Sequence, residues 1–367
     1  MELLSIDGSY GEGGGEILRT ATALAAVLEK SCHIFNIRAS RPRPGLALQH
    51  LLGLQALSQL SDGKLEGANL GSKEIKFYPH AKNFGVGVYS QEISPKEIKV
   101  EIETAGSITL ILQTLLIPSL FAPAPFKIQF KGGATDTFFS PPIDYFRFVF
   151  LPNLEKLINS LPKAKGGKVN INILRRGFYP KGGAEVEVEI FPLEFSQKIT
   201  KFSFKDRGEL KRILVISGAS EFLKKRKVAQ RQITGAKQTP LFYHKAKLPI
   251  ETKIEYYDTL SPGSQMTIIG EFENTVLGAS ALGRLLKSSE EVGKEAAMEF
   301  LKETRKPVAL DSHFSDQILP YIALFTKSAK LTTSEITQHT KTNIWVIEKF
   351  IRGNFQVKDN VITWKTK

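Results

Sequence analysis

Residues Leu3 to Leu28 read LLSIDGSYGEGGGEILRTATALAAVL, and this stretch decides the class of fold. Leu3 to Asp7 has the apolar character of a short strand, Gly11 to Gly15 supplies a turn, and Ile17 to Leu28 places Ala, Leu and Val on the core-facing side of a helix. A strand that passes through a glycine turn into a buried helix opens a layered α/β unit. The succession continues outward. His33 to Ile37 is strand-like, and Pro44 and Gly45 open a second helical stretch through Leu60 with Leu48, Leu51, Leu52, Leu57 and Leu60 as its apolar stripe. Asp62 and Gly63 stop it before two short strands that end at Ile75 to Tyr78. The order then repeats, with Ile98 to Glu103 as strand, Gly106 to Leu120 as helix, Phe126 to Phe130 as strand and Tyr145 to Leu161 as helix. The unit is about 80 to 90 residues long and ends each time in FYP, at Phe77-Tyr78-Pro79 and Phe178-Tyr179-Pro180.

After Pro192 the composition changes. Lys198 to Arg231 is dense in Lys and Arg, Leu214 to Ser217 reads as a strand, and Ser220 to Ile233 reads as a helix capped by Ser220 with Glu221 in its first turn. Strands at Thr252 to Tyr257 and Met266 to Glu271 complete an inserted domain. The earlier pattern resumes with helices at Ser288 to Lys302 and Ser315 to Phe325, a strand at Ser334 to Gln338 and a helix at Thr342 to Ile351.

The chain has 367 residues, 42% of them hydrophobic, enough for several cores and at least two domains. Fifty Lys and Arg against 37 Asp and Glu leave a formal charge of +13, which attracts an anionic partner such as nucleic acid but also fits a generally basic protein. The single cysteine, Cys32, excludes an internal disulfide and a thiolate metal cluster and fits a cytoplasmic protein. The N-terminus carries acids and glycines in place of a basic lead and apolar signal core, so it reads as structure from the start. The apolar stretch near Ile108 to Phe126 is interrupted by Thr109, Gln113, Pro118 and Pro123, which suits a buried helix better than a membrane span.

Three segments carry residues suited to chemistry. In DGSYGEGGGEILR, Asp7 to Arg19, glycines let backbone N–H groups approach an anion at a helix start, with Glu12 in the loop and Arg19 in the helix. The segment is neither G-x-G-x-x-G nor G-x-x-x-x-G-K-[ST], so it supports neither a dinucleotide fold nor a Walker loop; a purely conformational role also explains it. In RPRPGLALQH, Arg41 to His50, a guanidinium and a charged imidazole together suit a terminal phosphate, whereas Arg43 reads as a solvated loop residue and His50 equally as a satisfied helix histidine. HTKTN, His339 to Asn343, stands between a strand-like run and a helix, where an imidazole can expose one nitrogen as a nucleophile while the other is held. The six histidines have no H-x-x-x-H or H-E-x-x-H spacing for zinc, and magnesium arriving with a phosphate ligand needs no dense cage; Glu12 and Asp316 are acids that suit positioning it.

Over nearly its whole length the chain resembles the RNA 3'-terminal phosphate cyclase family. The strings that carry the resemblance are DGSYGEGGGEILRTA, RASRPRPGLALQH, ETAGSITLILQTLLIP, KGGATDTFFSPPIDYF, RRGFYPKGGAEVEVEI, HFSDQILPYIAL and TQHTKTNIWVIEKF, in that order. The resemblance implies an α/β (α+β) fold of three βαβαββ units, each similar to the C-terminal domain of a bacterial translation initiation factor, with a smaller α/β domain inserted in the third. The corresponding divisions are residues 1–184 for the first two units and the start of the third, 185–280 for the inserted domain and 281–367 for the rest of the third unit. It implies a ligase-type enzyme of RNA processing that uses ATP and Mg2+ or Mn2+ to turn an RNA 3'-terminal phosphate into a 2',3'-cyclic phosphodiester. Carried onto this sequence, the covalent histidine is His339, the loop acid and metal contact is Glu12, and Arg19, Arg41 and His50 serve the reacting end. The nucleotide contacts fall on Gln113 and on His313, Phe314, Ser315, Asp316 and Gln317. Family members commonly begin that second stretch with Tyr, so the aromatic contact is less secure here than the Asp316-Gln317 pair. The alternatives are a non-catalytic cyclase-like ribosome-assembly or RNA-binding protein, which needs no His339, and an enolpyruvyl-transfer enzyme, which needs no covalent nucleotide site.

Overall fold

A computed structural model describes residues 3–80, 96–244 and 249–367. The protein is a mixed α/β structure in which three four-stranded sheets share one pattern. In the first, Leu4–Asp7 pairs in parallel with Cys32–Phe35, which pairs antiparallel with Ile75–Tyr78, and Lys64–Glu66 forms the far edge. The second has Lys96–Ser107, Phe126–Ala134, Glu185–Ile190 and Val169–Arg175 in the same order and pairing sense. The third has Phe202–Phe204, Ser328–Thr332, Val361–Thr366 and Gly353–Lys358. Strands paired in parallel need a crossover, and helices Gly15–Val27 and Ile108–Leu120 provide it in the first two sheets.

Helix Gly15–Val27 is buried nearly all round, with Ala21, Ala23, Ala25 and Ala26 small enough for neighbouring helices to approach. It packs against Ile108–Leu120 and Gln338–Phe350, so elements from distant parts of the chain meet over the glycine loop. One core, including Ile6, Phe77, Ile128, Phe314 and Trp364, joins all three sheets. A separate core, including Ile213, Met266, Ala296 and Phe300, belongs to a fourth sheet of Ile250–Tyr257, Leu210–Ser220, Ser264–Phe272 and Val276–Leu282.

Several expected boundaries shift. Residue 185 is not a domain edge, because Glu185–Ile190 completes the second sheet; nor is 280, because helix Ser289–Glu303 packs on the fourth sheet through Val292, Ala296 and Phe300. The second FYP closes no unit. It lies in the connection between Val169–Arg175 and Glu185–Ile190, whereas Phe77 and Tyr78 end an edge-paired strand. Pro44 and Gly45 do not open a helix, since Gly45 adopts φ +85° against Gly71 and the helix begins at Leu48. Ser220 precedes only a short 3-10 turn, Glu221–Leu223, and Lys227 at φ +51° separates it from helix Val228–Lys237. The strand expected at Ser334 to Gln338 is Ser328–Thr332, and the last helix starts at Gln338, ahead of His339. Among the described residues no helix is long and apolar enough to cross a membrane.

Candidate active site

The glycine loop and two helix starts build one constellation. Asp7 accepts hydrogen bonds from Ser9 N at 2.9 Å and Ser9 Oγ at 2.7 Å, which hold its carboxyl below the usual range and fix the chain as it leaves the first strand. Gly11 then turns at φ +60°, and a Cβ there would lie 2.5 Å from Thr342 Oγ1. Across the loop a Cβ on Gly15 would lie 2.1 Å from the His50 ring. Glycine is therefore required on both sides by close approach, and at Gly11 also by conformation.

His339 lies in the first turn of helix Gln338–Phe350, whose N-cap, Thr337, accepts from Thr340 N at 3.0 Å. Its Nδ1 is 2.5 Å from Glu16 Oε2, and its Nε2 is 3.6 Å from Glu12 Oε2. Glu16 starts the first helix as a buried acid. Its other oxygen accepts from Asn343 Nδ2 at 2.7 Å, while Asn343 Oδ1 accepts from Thr20 Oγ1 at 2.7 Å. The braced carboxylate accepts the Nδ1 proton, which leaves the Nε2 lone pair of the neutral ring free. The hydrogen bond donated to Glu16 is the main reason that the His339 imidazole titrates above its ordinary 6.5, outweighing burial and the repulsion of Arg19.

Arg41 Nη2 lies 3.2 Å from Glu12 Oε2, so Glu12 stands between a guanidinium and the open histidine nitrogen. Arg19 is partly exposed and faces the charges of Glu16 and Asp316. Burial and the negative charge of Glu16 push the Asp316 carboxyl well up, while Arg19 opposes the shift. Gln113 Nε2 donates to Gln317 Oε1 at 2.8 Å, and Asn343 Nδ2 also donates to Asp316 O at 2.9 Å, tying the expected nucleotide segment to the His339 helix.

The remaining expected residues divide. His313 is exposed, with its ring edge against Tyr145. Phe314 is 0% exposed and packs against Phe150 and Phe204, and Ser315 is buried with its hydroxyl donated to Ser312 O at 2.9 Å. Both serve the core, so neither is presented to a nucleotide. His50 is not the charged phosphate donor expected from its neighbours in sequence. Burial, then Arg19 and Arg38, lower its pKa to about 3, and the neutral ring packs on Gly15. No group of three or more His, Cys, Asp or Glu side chains able to hold a metal occurs among the described residues. Sequence reasoning missed Glu16 as the partner of His339. Its signal was an acid in the first turn of a largely apolar helix, a position that burial makes costly unless the carboxylate is paired.

The sequence profile of RNA 3'-terminal phosphate cyclases matches residues 10–357. The chain belongs to that family. An RNA 3'-terminal phosphate cyclase of Thermococcus kodakarensis is 40% identical over 98% of this chain and 96% of its own length. The proteins of that name from Pyrococcus furiosus and Archaeoglobus fulgidus are 40% and 37% identical, covering 98% and 99% of this chain and 96% and 100% of their own. Membership in the cyclase family makes the chain a ligase-type enzyme, in agreement with the motifs quoted above.

Proposed function

We propose that this protein uses ATP to convert an RNA 3'-terminal phosphate into a 2',3'-cyclic phosphodiester through an adenylylated His339. The observation that carries the reading is the braced imidazole: Nδ1 is tied to Glu16, while a side chain 43% exposed keeps Nε2 open beside Glu12 and Arg41. In the first step Nε2 attacks the α-phosphorus of ATP, a P–N bond forms, and pyrophosphate leaves. Glu16 offsets the positive charge that develops on the ring.

In the second step an oxygen of the RNA terminal phosphate attacks the same phosphorus. The P–N bond breaks, its electron pair returns to Nε2, and the RNA end carries AMP in a mixed anhydride. The vicinal 2'-hydroxyl oxygen then attacks the RNA's own terminal phosphorus, loses its proton to solvent or a base, and expels AMP. Phosphate oxygen is a poor leaving group and AMP a good one, so covalent catalysis divides a difficult exchange into easier transfers. Arg19, Arg41 and the amides at the start of helix Gln338–Phe350 stabilise charge on phosphate oxygens. Gln113 and Gln317 position the nucleotide, while neutral His50 packs the loop. A divalent ion, Mg2+ or Mn2+, would come with the nucleotide and would neutralise phosphate charge, with Glu12 as the acid near enough to contact it. The strand order common to three sheets supports reading them as three βαβαββ units, with the fourth sheet inserted between Phe204 and Ser328.

The test is to incubate the protein with α-labelled ATP and an RNA ending in 3'-phosphate, following label on protein and conversion of the end together. The expected result is acid-labile label on protein and an ATP-dependent cyclic end, absent when the terminal nucleotide is 2'-deoxy. Equal formation of the product from both substrates overturns the mechanism.

A further inference from the structure

Tyr10 lies in the glycine loop two residues before Glu12 and is 42% exposed. Its ring stacks on the Trp345 indole with centroids 4.2 Å apart and planes 8° from parallel. Trp345 belongs to the helix that carries His339. Lys349 Nζ stands 5.5 Å from the Trp345 ring centroid. At about 100° per residue, Lys341, Trp345 and Lys349, spaced by four, form one stripe along the helix. Both lysines are exposed, and neither joins a salt bridge among the described residues. Asn343 faces Glu16 and Asp316, and Trp345, two residues on, is turned about 200° from it. The stripe therefore faces away from the Asp316-Gln317 side.

We infer that Tyr10, stacked on Trp345, is a platform for a base among the last two nucleotides of single-stranded RNA, with Lys341 and Lys349 holding the strand's phosphates. The inference rests on the cyclase reading and assigns the strand its path away from His339. Aromatic faces interleaved with unpaired cations bind single strands of any sequence, because every base offers a π-face. His339 and Trp345 are six residues apart on one helix, about 9 Å along its axis, so the platform stands near the end of an RNA whose terminal phosphate meets His339.

The test uses RNA ending in 3'-phosphate with 2-aminopurine at the last or second-last position, titrated at fixed salt without ATP. Stacking should quench the fluorophore, and Tyr10→Ala should weaken binding roughly tenfold, whereas Tyr10→Phe should bind as the unaltered protein does. Replacing Lys341 and Lys349 by Gln should reduce the slope of log affinity against log salt by about 1.4. With unaltered protein, RNA abasic at both positions should bind roughly tenfold more weakly than intact RNA, a comparison independent of whether any variant folds. Self-adenylylation should persist in Tyr10→Ala. Equal binding of abasic and intact RNA overturns the proposal, as does a larger effect of Tyr10→Ala on ATP use than on RNA binding, which assigns the ring to adenine. Failure of the cyclase reading is distinguishable, because it abolishes the cyclic product without removing the quench.

Discussion

Glu16 Oε2 accepts a hydrogen bond from His339 Nδ1 at 2.5 Å while Asn343 holds Glu16 Oε1, so the electron pair at Nε2 is oriented from a buried anchor. This relationship raises the imidazole pKa above 6.5, and Nε2 becomes nucleophilic only after its proton leaves. Self-adenylylation should therefore be low at acid pH and rise through a midpoint above 6.5. Glu16→Gln removes the charge but keeps an acceptor. The midpoint should move to lower pH, and the alkaline plateau should fall about fivefold, the difference of about 1 kcal/mol between charged and neutral hydrogen bonds. Single-turnover labelling between pH 5.5 and 9 measures both, and an unmoved midpoint rejects this role. For folding stability, the contribution of the raised pKa is complete below the unfolded value and is lost as pH rises through the folded one.

Gly15 and His50 are in contact by necessity. A Cβ at Gly15 would come within 2.1 Å of the ring, so Gly15→Ala must displace either the loop or the helix that carries His50. The cost should be about 1–3 kcal/mol of stability, read as a lower urea midpoint with an unchanged slope. Adenylylation should fall as well, because the same glycine precedes Glu16. Wild-type stability in this variant would show that the ring moves freely.

Burial of His50 predicts an acid sensitivity distinct from that of His339. Its folded pKa is near 3 and its unfolded value near 6.5, so the unfolded chain takes the proton first as pH falls. Stability should decline below 6.5 by up to about 1.4 kcal/mol per pH unit from this group. His50→Gln should make urea midpoints less steeply dependent on pH between 6 and 4. Parallel curves for the two proteins contradict a neutral buried His50.

The residues of the candidate site that can be proposed from sequence are those whose surroundings are local. His339 stands at a capped helix start, Glu12 among glycines, and Gln113 in an apolar helix where an amide needs a reason. Glu16 was not legible, because its partner is brought to it only when helices Gly15–Val27 and Gln338–Phe350 pack together. Phe314 failed for the opposite reason: an aromatic beside an Asp-Gln pair looks the same in sequence whether it faces a nucleotide or, as here, Phe150 and Phe204. The charge of His50 could not be read, since burial and two arginines set it. The strand order was legible as alternation of elements, but the edge of the inserted sheet was not, since Glu185–Ile190 shows its membership only through its pairing with Phe126–Ala134.

Arg41 should separate RNA handling from nucleotide chemistry. Its Nη2 lies 3.2 Å from Glu12, at the rim of the His339 group, while Lys224, Lys225, Arg226 and Lys227 are all exposed between Leu210–Ser220 of the fourth sheet and helix Val228–Lys237. Arg41→Ala should weaken binding of a 3'-phosphate end roughly tenfold or more, the value of a charge-assisted phosphate contact, and leave self-labelling detectable. Neutralising all four insertion residues should lower affinity less at one fixed salt concentration. The reverse ranking rejects this division of roles.

The covalent intermediate should sit on His339 and on no other histidine of the site. His313 is exposed but lies outside the Glu16-Asn343 brace, and His50 is buried against Gly15. His339→Ala should lose self-adenylylation and cyclisation together while remaining folded, at a cost of about 1–3 kcal/mol of stability because the buried Glu16 carboxylate loses a partner. His50→Gln should keep detectable label even where RNA turnover falls. The linkage should be labile in acid and persist in alkali, because protonation of the ring makes it a better leaving group. Peptide mass mapping of the trapped wild-type protein locates the adenylate directly. AMP found reproducibly on another residue, with His339 unmodified, overturns the assignment even if the cyclic product forms, because the braced Nε2 would then have no nucleophilic part in the reaction.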